Sequence, residues 1–290
     1  DQEDQKNTSD ASPEVLDLSS DGAQATDVLA IADPPIHTRQ RRISNRAFTM
    51  RRVQAMEDSI RILANQLIDQ FDDKQAVDWV KDFAVPLPMT IIINMLGLPI
   101  SDMPQLKKWS DASVALLSGI NTAEQLAELG GEIAQLLDYL ANQYDLALNE
   151  PGDNVLGDLI KEAKIDSENL NRDEIVSMLV QLLSAGNETT TSLIGSALML
   201  LIQTPDLQQQ LRQHPEKIDK FIEEALRLES PFHGHFRVTT KATTLGGVHL
   251  KAGSRLMLLW SAANRDSQKF ENPEEINLER AKPKSHLAFG

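Results

Sequence analysis

A carboxylate and a hydroxyl side by side, Glu188 and Thr189, sit within the run Ala185-Gly186-Asn187-Glu188-Thr189-Thr190, midway along the most apolar periodic stretch of the chain. An acid next to an alcohol can pass protons when the acid reaches water and the hydroxyl lies within hydrogen-bond range of the reacting group. The run is locally expensive. An interior glycine costs a helix about 1 kcal/mol against alanine, and an acid near the buried side costs more unless it is paired or hydrated. Thr189 and Thr190 can turn their hydroxyls onto carbonyls one turn earlier and loosen the backbone. Together these residues predict a break in the helix and a groove where something planar or reactive approaches. The competing reading is a solvated helix face or a mild bend.

The helix that carries this run is expected over 171–204. Ile175, Met178, Leu179, Leu182, Leu183, Leu193, Ile194, Ala197, Leu198, Leu201 and Ile202 recur at three- and four-residue steps, which makes one buried stripe. Asn171 or Asp173 can cap its start and Pro205 ends it. Upstream, the spacing predicts a helix over 39–71 broken near Thr49, an apolar helix over 77–98 interrupted by Pro86 and Pro88, and two more over 101–118 and 122–148. Downstream come helices over 206–213 and 216–229. Beyond Pro231 the period changes, and 236–245 and 255–260 read as strands, with Gly246-Gly247 as a hairpin turn. Residues 1–26 are polar and aperiodic, a loop or frayed end, and 27–290 reads as one mainly α domain with a small β region.

Composition narrows the function. Hydrophobic residues make up 41% of the 290 and aromatic ones 4%, so a substantial core must be filled by aliphatic side chains. A formal net charge of −15 argues against general binding to nucleic acid or to anionic membranes. Cysteine is absent, which excludes a disulfide framework and fits a reducing compartment. The longest apolar stretch, near 192–202, is too short to span a bilayer and the acidic start lacks a signal pattern. A soluble cytoplasmic protein is expected.

Five segments carry a resemblance. Ala185 to Thr190 resembles the oxygen-activating helix motif of the cytochrome P450 family, the haem-thiolate monooxygenases. Glu224-Ala225-Leu226-Arg227, followed by Ser230-Pro231, is similar to that family's Glu-x-x-Arg helix. Ala263-Asn264-Arg265-Asp266 and the final His286-Leu287-Ala288-Phe289-Gly290 resemble its meander and the opening of its haem-binding loop. The stretch from Asp33 to Arg42 looks like a helix start of soluble bacterial members.

The resemblance implies a mainly α P450-like fold, truncated at both ends, with haem b as cofactor and an axial cysteine expected beyond Gly290, so that the chain as given would be inactive. It implies an oxidoreductase that inserts one atom of O2 into a small, mainly apolar organic substrate, using electrons from NAD(P)H through a ferredoxin-type donor, as a monomer. The alternative is a haem-free scaffold serving as a binding or partner module. By resemblance, Glu188 and Thr189 are the catalytic proton-handling pair, and His37, Arg41, Ala185, Gly186, Arg237, Phe289 and Gly290 contact the cofactor. His37, Arg41 and Arg237 hold its propionates, which need cationic or hydrogen-bonding donors. Glu224 and Arg227 form a structural ion pair, although by spacing alone they could be an ordinary surface pair. Their usual third partner is missing, because Glu275-Ile276 stands where many members carry Arg-Phe, and Arg280 is the candidate substitute. Met178, Leu182, Phe232, His233 and His235 would line the substrate pocket. Arg39, Arg42, Arg46, Arg51 and Arg52 form a basic patch, either a solvated helix face or a docking surface for an acidic electron donor.

Overall fold

The computed structural model describes residues 25–117, 121–165 and 170–290, so most of the polar start at 1–26 lies outside it. In chain order the helices are α1 (Ile36–Ala47), α2 (Met50–Ala55), α3 (Glu57–Asp69), α4 (Pro86–Leu96), α5 (Met103–Leu117), α6 (Ala123–Ala147), α7 (Val155–Ile165), α8 (Arg172–Gln203), α9 (Pro205–Gln213), α10 (Ile218–Leu228) and the short α11 (Trp260–Ala263). The strands are β1 (Gly234–Val238), β2 (Thr243–Leu245), β3 (Val248–Leu250) and β4 (Arg255–Leu259). Two compact units emerge, one from the chain up to Ile60 with Met89–Ala185, the other from Arg61–Pro88 with Gly186–Gly290.

The first unit is built on aliphatic side chains at helical spacing. Ile43 of α1, Ile93 and Leu96 of α4, Leu136 and Leu140 of α6, Leu159 of α7, and Ile175, Leu179 and Leu183 of α8 are almost wholly buried in one cluster. Caps set the helix boundaries. The Thr49 hydroxyl accepts the Arg52 N–H at 3.3 Å, so the expected break there is a new helix start. Thr122 and Gln125 close a capping box on α6, and Asn171 and Glu174 exchange side-chain and main-chain bonds of 2.8 and 2.9 Å at the head of α8. The segment 26–31 is stitched down by polar side chains. Gln40 accepts the Leu29 N–H at 2.9 Å, and Gln181 accepts from Ala30 and donates to Val28.

In the second unit, Leu200, Leu207, Leu211, Phe221, Ala225 and Leu278 form the core. An aromatic group adjoins the chain ahead of α4: Trp79 stacks on Phe83 at 4.2 Å, with Phe71 edge-on to both. Here the expected helix over 77–98 is divided into a π-helical turn, Val80–Ala84, followed by α4. Pro86 lacks the N–H that would continue an α-helical ladder and its ring crowds the carbonyl four residues back. The turn therefore opens to the five-residue bond from Val85 N–H to Val80 O, 2.9 Å.

Two expectations need correction. α8 is α-helical without interruption from Arg172 to Gln203, through Gly186. Burial of apolar side chains on both sides of the run, of Asn187 within it and of Thr191 next to it, outweighs the roughly 1 kcal/mol intrinsic cost of glycine. The expected strand 236–245 is two strands in different sheets: β1 pairs antiparallel with β4, Gly234 opposite Leu259, and β2 pairs with β3. The chain turns at Thr239, whose hydroxyl donates to Lys251 O at 2.6 Å and whose N–H donates to Ser254 O at 3.0 Å. Gly246 and Gly247, with φ of +57° and +82°, make the tight β2–β3 turn.

Candidate functional site

Helix α8 positions the acid–alcohol pair by its buried neighbours. Asn187 is fully buried and Thr191 nearly so, while Glu188 and Thr189 are half-buried and Ala185 and Thr190 exposed. The Thr191 hydroxyl donates to the Ala84 carbonyl at 3.0 Å and lies 3.4 Å from Asn187 Oδ1. Trp79 adds an indole N–H bond to Ile194 O at 3.3 Å. These contacts fix the rotation of the helix and leave the Glu188 carboxylate partly open, 3.5 Å from the Asn187 amide. Such a carboxylate can exchange protons with water while staying next to a hydroxyl. Asn187 belongs to the run already singled out, and Thr191 joins it at i,i+4 spacing, one turn apart on the same face.

Met178 is wholly buried inside the aliphatic cluster of the first unit. Its three- and four-residue spacing from Ile175 and Leu182 puts it on the inward stripe. Leu182 is partly buried against the same cluster.

The Glu224–Arg227 pair of α10 has 0% exposure at both residues. Arg227 reaches both carboxylate oxygens, Nε to Oε1 at 2.9 Å and Nη2 to Oε2 at 3.0 Å, and donates to the carbonyls of Asn264, Pro273 and Glu275 at 3.0, 2.6 and 2.9 Å. Arg280 supplies the third member: its Nε and Nη2 lie 2.8 and 3.3 Å from Glu224, which also accepts the Asn277 N–H at 2.9 Å. Burial pushes the Glu224 carboxyl up. The hydrogen bonds from Arg227, Arg280 and Asn277, with the Arg227 charge, outweigh that and hold it below the ordinary value. Asn264, within the meander motif, is a hub. Its amide donates to Ser230 Oγ at 2.8 Å and its side-chain oxygen accepts the Leu287 N–H at 2.7 Å.

On β1, His235 accepts the Trp260 indole N–H on Nδ1 and lies 4.4 Å from the Phe232 ring. Burial lowers its pKa below 6.5, and the Arg237 charge lowers it further. Phe232, His233 and Arg237 are exposed. Phe289 is 82% exposed, and Gly290 adopts a φ of +87°. In the first unit His37 and Arg41 stand one turn apart on α1, His37 half-buried and Arg41 exposed.

The basic patch is largely neutralised. Arg39 pairs with Glu174, Arg46 with Glu162, and Arg52 with Asp153 and Asp158. Helices α7 and α8 and the loop ahead of α7 bring these acids to the arginines, which weakens the field available to steer an acidic donor. Among the described residues no helix is long and apolar enough to cross a membrane.

A helical protein with two small antiparallel sheets, a buried Glu–Arg–Arg cluster bracing its C-terminal loops and an acid–alcohol pair on its longest helix defines a recognisable class. The cytochrome P450 family model matches residues 2–290, and the chain belongs to that family. It is 41% identical to cytochrome P450 144 of Mycobacterium tuberculosis over 266 residues, 91% of this chain and 61% of that protein. With the putative cytochrome P450 YjiB of Bacillus subtilis it shares 34% identity over 89% of this chain and 65% of the relative. The chain thus spans about three fifths of the length of these relatives. Among solved structures it is similar to P450BioI bound to an acyl carrier protein ligated with hexadec-9Z-enoic acid, with a TM-score of 0.86, 30% identity and coverage of 91% of this chain and 68% of that one. CYP109E1 from Bacillus megaterium in complex with testosterone matches with a TM-score of 0.83 and 34% identity, over 91% and 69%.

Proteins of this family bind haem b. The propionates of that group need cationic or N–H donors, and His37 and Arg41, one turn apart on α1, are of that kind. None of the 290 residues is a cysteine, so the fit concerns the porphyrin carboxylates and not an axial thiolate.

Proposed function

We propose that the protein is a haem-dependent monooxygenase that inserts one atom of O2 into a small, mainly apolar organic substrate, with electrons from NAD(P)H reaching it through a ferredoxin-type donor, and that it acts as a cytoplasmic monomer. The observation that carries this reading is the family match over residues 2–290. Haem b, when bound, supplies the oxygen and redox chemistry. His37, Arg41 and Arg237 would hold its propionates, and Ala185, Gly186, Phe289 and Gly290 would border its faces.

Glu188 and Thr189 have the work of holding and moving protons: the half-buried carboxylate exchanges with water and the hydroxyl presents the proton to the reacting group. Glu224, Arg227 and Arg280 keep the loops from Asn264 to Arg280 in place. Leu182, Phe232, His233 and His235 would orient the substrate. An apolar substrate is supported by three solved relatives, recorded with hexadec-9Z-enoic acid, testosterone and myristic acid, all mainly hydrocarbon.

The test uses the full-length gene product supplied with hemin. The reduced protein should give the carbonyl spectrum of thiolate-ligated haem, and incubation under 18O2 with NAD(P)H and a ferredoxin system should place one labelled oxygen atom in the product. Protein that purifies without haem, or product free of label, overturns the proposal.

A further inference from the structure

Glu223, the neighbour of Glu224 on α10, has a separate partner. His286, whose side chain is 3% exposed, sets Nε2 at 2.9 Å from Glu223 Oε2, and its Nδ1 accepts the Ala288 N–H at 3.2 Å. An ionised carboxylate only accepts and an amide N–H only donates, so one neutral tautomer, with the proton on Nε2, satisfies both contacts. Lys284 also lies near Glu223, but at 3.9 Å and 84% exposed, so the imidazole is the defined partner. The next residues are tied as closely. The Leu287 N–H donates to Asn264 Oδ1 at 2.7 Å, and the Gly290 N–H donates to Leu287 O at 3.1 Å. Two adjacent carboxylates of one helix thus divide the work, Glu224 gripping the arginines and Glu223 the histidine.

We infer that Glu223 and His286 are a positioning pair that sets the course of the turn Leu287–Gly290, and through it the presentation of Phe289 and Gly290 to the haem. The inference rests on the haem reading above. Neither side chain need touch the cofactor. The imidazole couples α10 to the turn through two bonds that face in different directions, which a single-ended side chain cannot do. Amide hydrogen exchange is therefore a direct readout, since a main-chain N–H that loses its acceptor exchanges through small local openings.

The experiment compares full-length wild-type protein with H286A, H286N and H286Q, because the Asn oxygen lies near where Nδ1 sits and the Gln nitrogen near where Nε2 sits. In H286A the Leu287–Gly290 amides should exchange about tenfold faster while those of α10 hold their rates, and the thiolate-type fraction of the reduced carbonyl spectrum should fall by about half. H286N should restore protection at Ala288 and H286Q should not. Exchange and spectrum both within about twofold of wild type in H286A would overturn the inference, as would acceleration spread evenly through α10. Should H286A not fold, the contrast between H286N and H286Q decides: selective protection in H286N supports the pair, and equal protection overturns it. A wild-type protein lacking the thiolate spectrum would sink the haem reading, and the exchange comparison would still decide whether the pair orders the turn.

Discussion

Replacing Arg280 with alanine removes the third member of the buried cluster, and the structure bounds the effect. Arg280 gives two bonds to Glu224 and one, of 3.0 Å, to Glu271 O, from a side chain that is 10% exposed. Charge-assisted bonds each contribute about 1.5–3 kcal/mol, and stripping a buried acid of its only partner costs about 3–5 kcal/mol. Glu224 keeps Arg227 on both oxygens and the Asn277 N–H, so the loss in R280A should be about 2–3 kcal/mol, below that of a bare buried charge. R227A should cost more, because it also orphans the carbonyls of Asn264, Pro273 and Glu275. Urea unfolding of the full-length protein followed by circular dichroism measures both. The pH dependence follows from the same contacts. With the folded Glu224 pKa below the ordinary 4.5, its stabilisation is whole above pH 4.5 and is lost as pH falls through the lower folded value. The gap between wild type and R280A should therefore narrow below pH 4.5. A gap under about 0.5 kcal/mol at neutral pH, or one that does not change with acidification, refutes the reasoning.

In the loaded full-length enzyme, T189A should lower product formed per NAD(P)H by about tenfold and raise peroxide; an unchanged yield removes Thr189 from the proton path. The His235 resonance should titrate below 6.5, since burial and the Arg237 charge both favour the neutral ring. Its contribution to stability is then full above 6.5 and lost as pH falls through the folded value. A midpoint at or above 6.5 in an NMR titration contradicts the burial argument. In G234A the new Cβ would lie 2.3 Å from the Leu258 carbonyl oxygen across the β1–β4 pair, so about 1–3 kcal/mol of thermal stability should disappear. A Tm equal to that of wild type would show that β1 can shift freely.

Local chemistry settled much of this protein before any fold was known. Three- and four-residue apolar steps mark α8, Thr49, Thr122 and Asn171 cap helices through bonds only three residues long, and paired glycines mark the β2–β3 turn. Those signals are readable because the interacting groups are neighbours in the chain. Tertiary structure alone decided that Arg280 closes on Glu224 across 56 residues and that Thr191 bonds the Ala84 carbonyl across 107. It also decided that Met178 is core, that β1 chooses β4, and that three arginines of the basic patch are consumed by acids of distant segments. Side-chain type shows what a residue can bond, but which partner arrives depends on how the intervening helices pack, and that is a property of the whole core.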